Sequence, residues 1–318
     1  MCAEDGLVYY EHACTHLHAF LFLTGAVMDA MAQTQGGSRD AALQALSSSR
    51  AERHGKDKRY FDLMAYIVSN TISGEIMAVE NYSEMVPIMG DTEAKIETVK
   101  QANEESKHIR MLASLGKRLD YPVKTEIVEP QWKAIRGHFS SAVKKKDLAA
   151  CLIIQDLMTE TMAIVLYKTL GRDTDSDTAQ VAGLILSDEI EHLGIGARRI
   201  KAMLEKDPET VHDALVWAHH RVMPELFSMI STSCHSLCAE LSVDCGGIGL
   251  DSIATDIEKL RVDALDAYME TLDLVGFDHK VTMPLIASMS SYGVQPKADL
   301  RLRSDAPSAC STQAGACC

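Results

Sequence analysis

Residues 102–112 read ANEESKHIRML, and residues 186–196 read LSDEIEHLGIG. The first stretch contains Glu105-Ser-Lys-His108 and the second Glu189-Ile-Glu-His192. Residues three apart on a helix share a face, so each Glu-x-x-His unit presents a carboxylate beside an imidazole. One such unit alone is an ordinary surface ion-pair pattern. Here the two alternate with two glutamates set in apolar surroundings. Glu75 lies on a helical face with Ile67, Ile72 and Val79, and Glu160 lies within ACLIIQDLMTETMAIVLY, residues 150–167. Isolated carboxylates in such runs are costly to bury, and a pair of metal ions offsets that cost. The chain order is Glu, ExxH, Glu, ExxH, with nearly equal intervals from Glu75 to Glu105 and from Glu160 to Glu189. Two helix pairs of similar length would produce that spacing.

One Glu from each of two helices, plus Glu-x-x-His from each of two others, is the ligand set of a carboxylate-bridged dimetal site in a helical bundle. The candidate ligands are therefore Glu75, Glu105, His108, Glu160, Glu189 and His192. Hard oxygen donors with two nitrogens suit iron or manganese better than copper or structural zinc.

Outward from these motifs, a 3.6-residue apolar period predicts helices over roughly 60–85, 92–119, 147–170, 177–205, 209–241, 251–275 and 280–291. Pro87, Pro122, Gly171 and the Asp207-Pro208 step supply stops, and Asp147 supplies a cap. No stretch alternates as a strand should. Between the second and third helices lies a segment, 120–146, with two prolines and one short helical stretch, QWKAIRGHFSSAVKK. It is too long for a tight hairpin and matches the long crossover of a ferritin-like bundle. The expected fold is all-α: a ferritin-like four-helix bundle with additional N- and C-terminal helices. Residues 1–33 are expected to form an N-terminal helix and 34–58 a Gly-, Ser- and charge-rich linker. Residues 59–292 should form the bundle with its C-terminal helices, and 293–318 a flexible tail containing cysteines.

Composition narrows the classes further. The chain has 318 residues with 31 Lys+Arg against 45 Asp+Glu, a formal charge of −14. An acidic chain without a basic block is a poor partner for nucleic acid or an anionic membrane. Nine cysteines, an odd number unevenly placed, read as reduced thiols of a cytoplasmic protein rather than a disulfide framework. The apolar run 19–28 follows Glu4, Asp5 and Glu11 and is closed by Asp29. It is too short to span a bilayer, so neither a signal peptide nor a transmembrane segment is expected.

The segments GEIMAVENY (74–82), ANEESKHIRMLASLGKRL (102–119), ACLIIQDLMTETMAIVLY (150–167), LSDEIEHLGIG (186–196) and DAYMETLDLVGFDHKVT (266–282) carry a resemblance. They resemble the aldehyde-deformylating oxygenases, also called aldehyde decarbonylases, of the ferritin-like di-iron superfamily. The resemblance spans about residues 60–292. It implies the same six metal ligands, and it places ligand-orienting or proton-relaying groups at Tyr82, Gln155, Tyr167 and Asp188. It also implies two iron ions (or iron with manganese), O2 as co-substrate and an external electron donor of the ferredoxin kind. The implied reaction converts an aldehyde, in that family a long-chain one, to a hydrocarbon and formate. Spacing agrees in part: Tyr82 follows Glu75 by seven residues and Tyr167 follows Glu160 by seven, so each shares its ligand's face. Metal ligands need such outer partners to fix their orientation.

Departures from the family pattern leave other readings open. Ser69, Asn70, Thr71 and Ser73 stand where the family's substrate tunnel is apolar, and Asp156, Thr159 and Thr161 flank Glu160. Asp156, four residues before Glu160, is an extra ligand, an outer partner or a solvated charge. A tunnel lined this way would suit a long acyl chain less well, which leaves open, as an alternative, a dimetal oxygenase or oxidase acting on a more polar substrate. A third reading is a non-enzymatic metal-binding protein with a thiol tail at Cys310, Cys317 and Cys318. The His12/His16 and Cys14/His18 pairs have metal-binding spacing, although a polar helix face is the default. Cys234 and Cys238 read as buried filler, and His219 and His220 belong to no pattern.

Overall fold

The computed structural model describes residues 58–240 and 251–289. The expected N-terminal helix, linker and cysteine tail, with the thiols of Cys310, Cys317 and Cys318 and the His12–His18 motif, lie outside the described residues. So do the side chains of Cys234 and Cys238.

Every regular element among the described residues is helical. They are α1 (Lys58–Met85), α2 (Thr92–Leu119), α3 (Pro130–Lys145), α4 (Leu148–Leu152), α5 (Glu160–Asp173), α6 (Ser176–Leu204), α7 (Pro208–Glu240), α8 (Asp251–Val275) and α9 (His279–Ser288). The boundaries follow local chemistry. Asp91, Asp147 and Asp175 accept hydrogen bonds from the backbone N–H of Ala94 (2.8 Å), Ala150 (3.0 Å) and Thr178 (3.0 Å), satisfying first-turn donors. Pro130 and Pro208 occupy the first helical position, where no N–H is needed. Asp120 (φ 57°) and Lys146 (φ 58°) end α2 and α3 in the left-handed conformation.

The helical stretch expected in the crossover forms α3, which packs on α1 and α7. One feature differs from the expectation. The third bundle helix runs unbroken from Leu148 to Asp173, past Gly171, and residues Ile153–Thr159 between α4 and α5 form a π-helical turn. Hydrophobic periodicity cannot show that turn, because one extra residue per turn shifts the register without changing composition. The Thr159 and Thr161 hydroxyls bond back to the carbonyls of Gln155 (2.6 Å) and Leu157 (2.5 Å), which supports the widened turn.

Helices α1 and α2 pack as one pair and α5 and α6 as another, and α2 meets α6 between them. The interior is layered. Met64, Val68, Ile72, Leu112, Leu115, Tyr167, Val181 and Ile185 belong to one buried apolar cluster. Met77, Tyr82, Leu152, Leu157, Ala197 and Ile200 belong to a second, larger one that extends to α7 and α8. Along α1 and α6 the candidate ligands fall between these clusters, so a polar layer is sandwiched by apolar ones. The Leu148–Arg172 segment is long and apolar enough to cross a membrane, yet 83% of its most apolar window is buried inside the bundle. Its hydrophobicity is accounted for as core.

The polar stretch of α1 has a structural task. Ser69 Oγ accepts from Lys124 N (2.9 Å), and Ser73 Oγ accepts from Val128 N (3.2 Å) while donating to the Glu126 carbonyl (2.9 Å). Trp132 Nε1 donates to Asn70 Oδ1 (2.6 Å), and Thr71 bonds back to the Ile67 carbonyl (2.9 Å). Ser69, Asn70 and Ser73 thus clasp the crossover to α1.

One glycine is required by a close approach. A Cβ on Gly196 of α6 would lie 2.1 Å from Asp156 Cβ, on the π-turn. Gly196→Ala should therefore cost about 1–3 kcal/mol through forced displacement of the turn. Gly183→Ala, where a Cβ meets nothing within 4 Å, should leave stability unchanged or raise it by about 0.5–1 kcal/mol. Thermal melts of the two variants beside the parent chain check this contrast; equal melting temperatures would contradict it.

Candidate metal centre

Four helices bring the six candidate ligands together. Glu75 comes from α1, Glu105 and His108 from α2, Glu160 from the start of α5, and Glu189 and His192 from α6. All six are buried. Their donor atoms form two overlapping groups, Glu75–Glu105–His108–Glu189 and Glu105–Glu160–Glu189–His192, and within each group the atoms lie within 4.8 Å of one another. Glu105 and Glu189 belong to both groups, the position of bridging carboxylates between two cations.

The histidines present Nδ1 to this space. His108 Nδ1 lies 3.3 Å from Glu75, 3.1 Å from Glu105 and 3.1 Å from Glu189. His192 Nδ1 lies 3.0 Å from Glu105 and 4.0 Å from Glu160. The outward nitrogens are held by carboxylates in a crossed arrangement. Asp188 of α6 faces His108 Nε2 of α2 at 3.1 Å, and Glu104 of α2 faces His192 Nε2 of α6 at 3.0 Å. An acidic partner at Nε2 keeps a proton there and leaves Nδ1 as the free donor. Glu104 went unnoticed in the sequence, although the signal existed: an acidic residue precedes the glutamate in both motifs, Glu104-Glu105 and Asp188-Glu189.

The remaining groups brace the carboxylates. Tyr167 donates to Glu75. Tyr82 Oη and Gln155 Nε2 both donate to Glu160 Oε1 at 2.8 Å. Asn81 donates to Gln155 (2.7 Å) and Gln101 to Tyr82 Oη (3.1 Å), and Arg199 donates to Gln101 Oε1 (3.1 Å). Tyr82, Gln155, Tyr167 and Asp188 thus all touch a candidate ligand. Asn81, Gln101 and Arg199 join them only through tertiary contact, and no spacing rule points to them.

Electrostatics tests whether cations fit. Burial, then the neighbouring charges of Glu160 and Glu75, pushes the Glu105 carboxyl up to about 8. Burial and Glu105 push Glu189 up to about 7. Burial pulls His192 down, but Glu104, Glu105 and Glu160 outweigh it and push it up to about 12. Glu105 Oε1, Glu189 Oε1 and His192 Nδ1 are buried without hydrogen-bond partners. Such atoms are costly to bury unless something else satisfies them. Two divalent cations would neutralise four carboxylates and take up these lone pairs, so the residues fit a metal pair.

Asp156 is fully buried and stands outside both ligand groups. That removes the solvated-charge reading. Of the polar residues near Glu75 and Glu160, Ser69, Asn70 and Ser73 bond to the crossover, Thr71 to its own helix, and Thr159 and Thr161 to carbonyls of the π-turn.

Comparison with known proteins agrees with this architecture. An aldehyde deformylating oxidase from Synechococcus superposes with a TM-score of 0.61 at 17% identity, covering 73% of this chain and 98% of its own. The R2-like ligand-binding oxidase from Sulfolobus acidocaldarius superposes with a TM-score of 0.54 at 17% identity, covering 74% and 83% respectively. At that identity the likeness establishes the ferritin-like helical fold. The buried carboxylate–histidine cluster in such a fold supports a non-haem dimetal oxygenase or oxidase. The sequence model of the long-chain fatty aldehyde decarbonylase family matches residues 57–295, and with most of its length inside that match the chain belongs to this family.

Proposed function

We propose that this protein is an O2-dependent dimetal oxygenase that converts an aldehyde to a hydrocarbon and formate. The observation that carries the metal assignment is the sharing of Glu105 and Glu189 by two adjoining donor groups. The choice of aldehyde rests on family membership. Glu75, Glu105, His108, Glu160, Glu189 and His192 would hold the ions. Bound there, a redox-active pair, iron with iron or iron with manganese, would supply Lewis acidity, an O2-binding centre and electrons received from an external donor.

The chain's own residues do the rest. Asp188 and Glu104 hold the protons on His108 Nε2 and His192 Nε2, and so fix both rings with Nδ1 inward. Tyr167 fixes Glu75, while Tyr82 and Gln155 fix Glu160 at one oxygen and leave the other free. The apolar clusters on either side keep water from the reacting groups. The reading with a more polar substrate loses its main support, because Ser69, Asn70 and Ser73 bind the crossover.

Titration of the metal-free chain with Fe(II) or Mn(II) should give two ions per chain, and Glu105→Ala, which removes a shared ligand, should retain at most one. An unchanged stoichiometry in that variant would remove the bridging assignment. Asp188→Asn and Glu104→Gln should each weaken metal binding by about 10- to 100-fold while leaving the melting temperature of the metal-free chain close to that of the parent. With iron, O2 and a reductant, a long-chain aldehyde should yield formate in step with aldehyde loss. Turnover of only polar substrates would displace the aldehyde reading.

A further inference from the structure

The proposed reaction is not balanced by an aldehyde and O2 alone. They become a hydrocarbon, formic acid and water only when four electrons and four protons are added. A metal pair enclosed between apolar layers takes those electrons through the protein. The entry point lies where the fewest side chains separate the ligands from the surface.

Two carboxylates reach outward from the histidines. Glu104, on His192 Nε2, is 13% exposed and pairs with Lys100 (3.5 Å), which is also held by Glu191 (2.8 Å). Asp188, on His108 Nε2 at 3.1 Å, has a side chain 42% exposed. On that side a single residue stands between solvent and a candidate ligand.

The surface beside Asp188 departs from the acidic charge of the chain. Residues 106–119 of α2 hold Lys107, Arg110, Lys117 and Arg118 and no carboxylate, whereas residues 91–105 hold five carboxylates and two lysines. On α6 no charged residue stands between Asp177 and Asp188. An open cleft follows the seam of the two helices, lined by Lys107, Arg110 and Arg118 and by the apolar Met111, Val181 and Leu184. Leu184 is 45% exposed, and Asp188 follows it by one helical turn. Arg118 is held by Asp177 (3.0 Å), and cations in the last turn of α2 also offset its dipole. Neither reason covers Lys107 and Arg110, which are exposed two or more turns before that end. They form no ion pair among the described residues, and Arg110 donates to the Ser106 hydroxyl (3.3 Å).

We propose that the α2–α6 seam is the docking surface of a small acidic one-electron carrier protein, whose electrons enter the metal centre through Asp188 and His108. With a formal charge of −14, the chain repels an acidic partner over much of its surface and draws it to this locally basic seam. An isologous pair of this chain would instead set two basic seams against each other. A small apolar centre with a charged rim suits the transient encounters of electron transfer, which bury little area. At each encounter the carrier is oxidised by one electron and one trivalent ion of the pair is reduced to divalent. Four encounters and four protons from solvent complete one turnover. The electron route rests on the dimetal reading; the docking surface does not.

The test uses the full chain, metal-free and loaded with Mn(II), and an acidic plant-type ferredoxin as the probe. Their association should weaken steeply with added salt. Lys107→Gln/Arg110→Glu should slow association about 10-fold or more. Glutamine is used at 107 because the charge of Lys107 acts on nearby Asp188. Lys133→Glu/Lys206→Gln makes an equal charge change at exposed positions on α3 and beyond α6 and should leave association close to the parent's. Both variants should keep the parent's melting temperature and metal stoichiometry. In the iron-loaded seam variant, reduction by the ferredoxin should slow while reduction by dithionite, which needs no docking, keeps the parent rate. Parent-like association of the seam variant, an equal loss in both variants, equal slowing with both reductants, or a parent chain that does not bind the ferredoxin overturns the inference. So does dimerisation of the parent that the seam variant abolishes, which would assign the seam to a second copy. A chain that binds the ferredoxin at the seam but takes up no metal removes the dimetal reading instead and leaves the docking surface standing.

Discussion

The constraint on which this protein turns is the burial of four glutamates and two histidines at one level of a helical bundle. Like charges at such separation in a dry interior repel strongly, and burial adds to the cost. The site is tolerable because its charge is distributed. The histidines pair inward with the glutamates and outward with Asp188 and Glu104, and tyrosine and glutamine donors absorb part of the charge on Glu75 and Glu160. What remains unsatisfied is a set of lone pairs directed at common space, the condition under which a polar cluster serves a ligand rather than stability.

The crossed arrangement of the outer carboxylates couples the two Glu-x-x-His helices. Each helix supplies the partner that orients the other's histidine, so α2 and α6 must sit in one register for either ring to point correctly. The apolar clusters above and below enforce that register, because sliding one helix by a turn would bring leucines opposite glutamates. Packing and chemistry are thus held by the same interface. The π-turn works differently. It widens one helix locally so that Gln155 reaches Glu160 and Asp156 reaches the face of Gly196. Such turns often mark functional positions, since they aim side chains at the expense of regular hydrogen bonding.

Much of this was legible in one dimension. Helical spacing put each Glu and His of a motif on one face, and the apolar runs around Glu75 and Glu160 announced that these carboxylates face inward. The polar stretch at Ser69–Ser73 was misleading, because its residues look the same whether they line a channel or bind a neighbouring backbone. Only the path of the crossover shows that Ser69 and Ser73 bind its backbone and Asn70 the Trp132 indole. Glu104 was legible in principle through the repeated acidic pair. Asn81, Gln101 and Arg199 were not, since each acts on a residue far away in the chain.

By itself, then, the order of residues determined the helical class, the ligand types and their pairing on helix faces, because a helix converts spacing into direction with no help from the rest of the chain. Tertiary structure alone decided which carboxylates are shared between the two donor groups, which outer acid holds which histidine, and that Asp156 is buried against Gly196 with Arg199 3.7 Å away. Those relations depend on how separate helices are turned and raised against one another, and that is set by the packing of side chains distant in sequence.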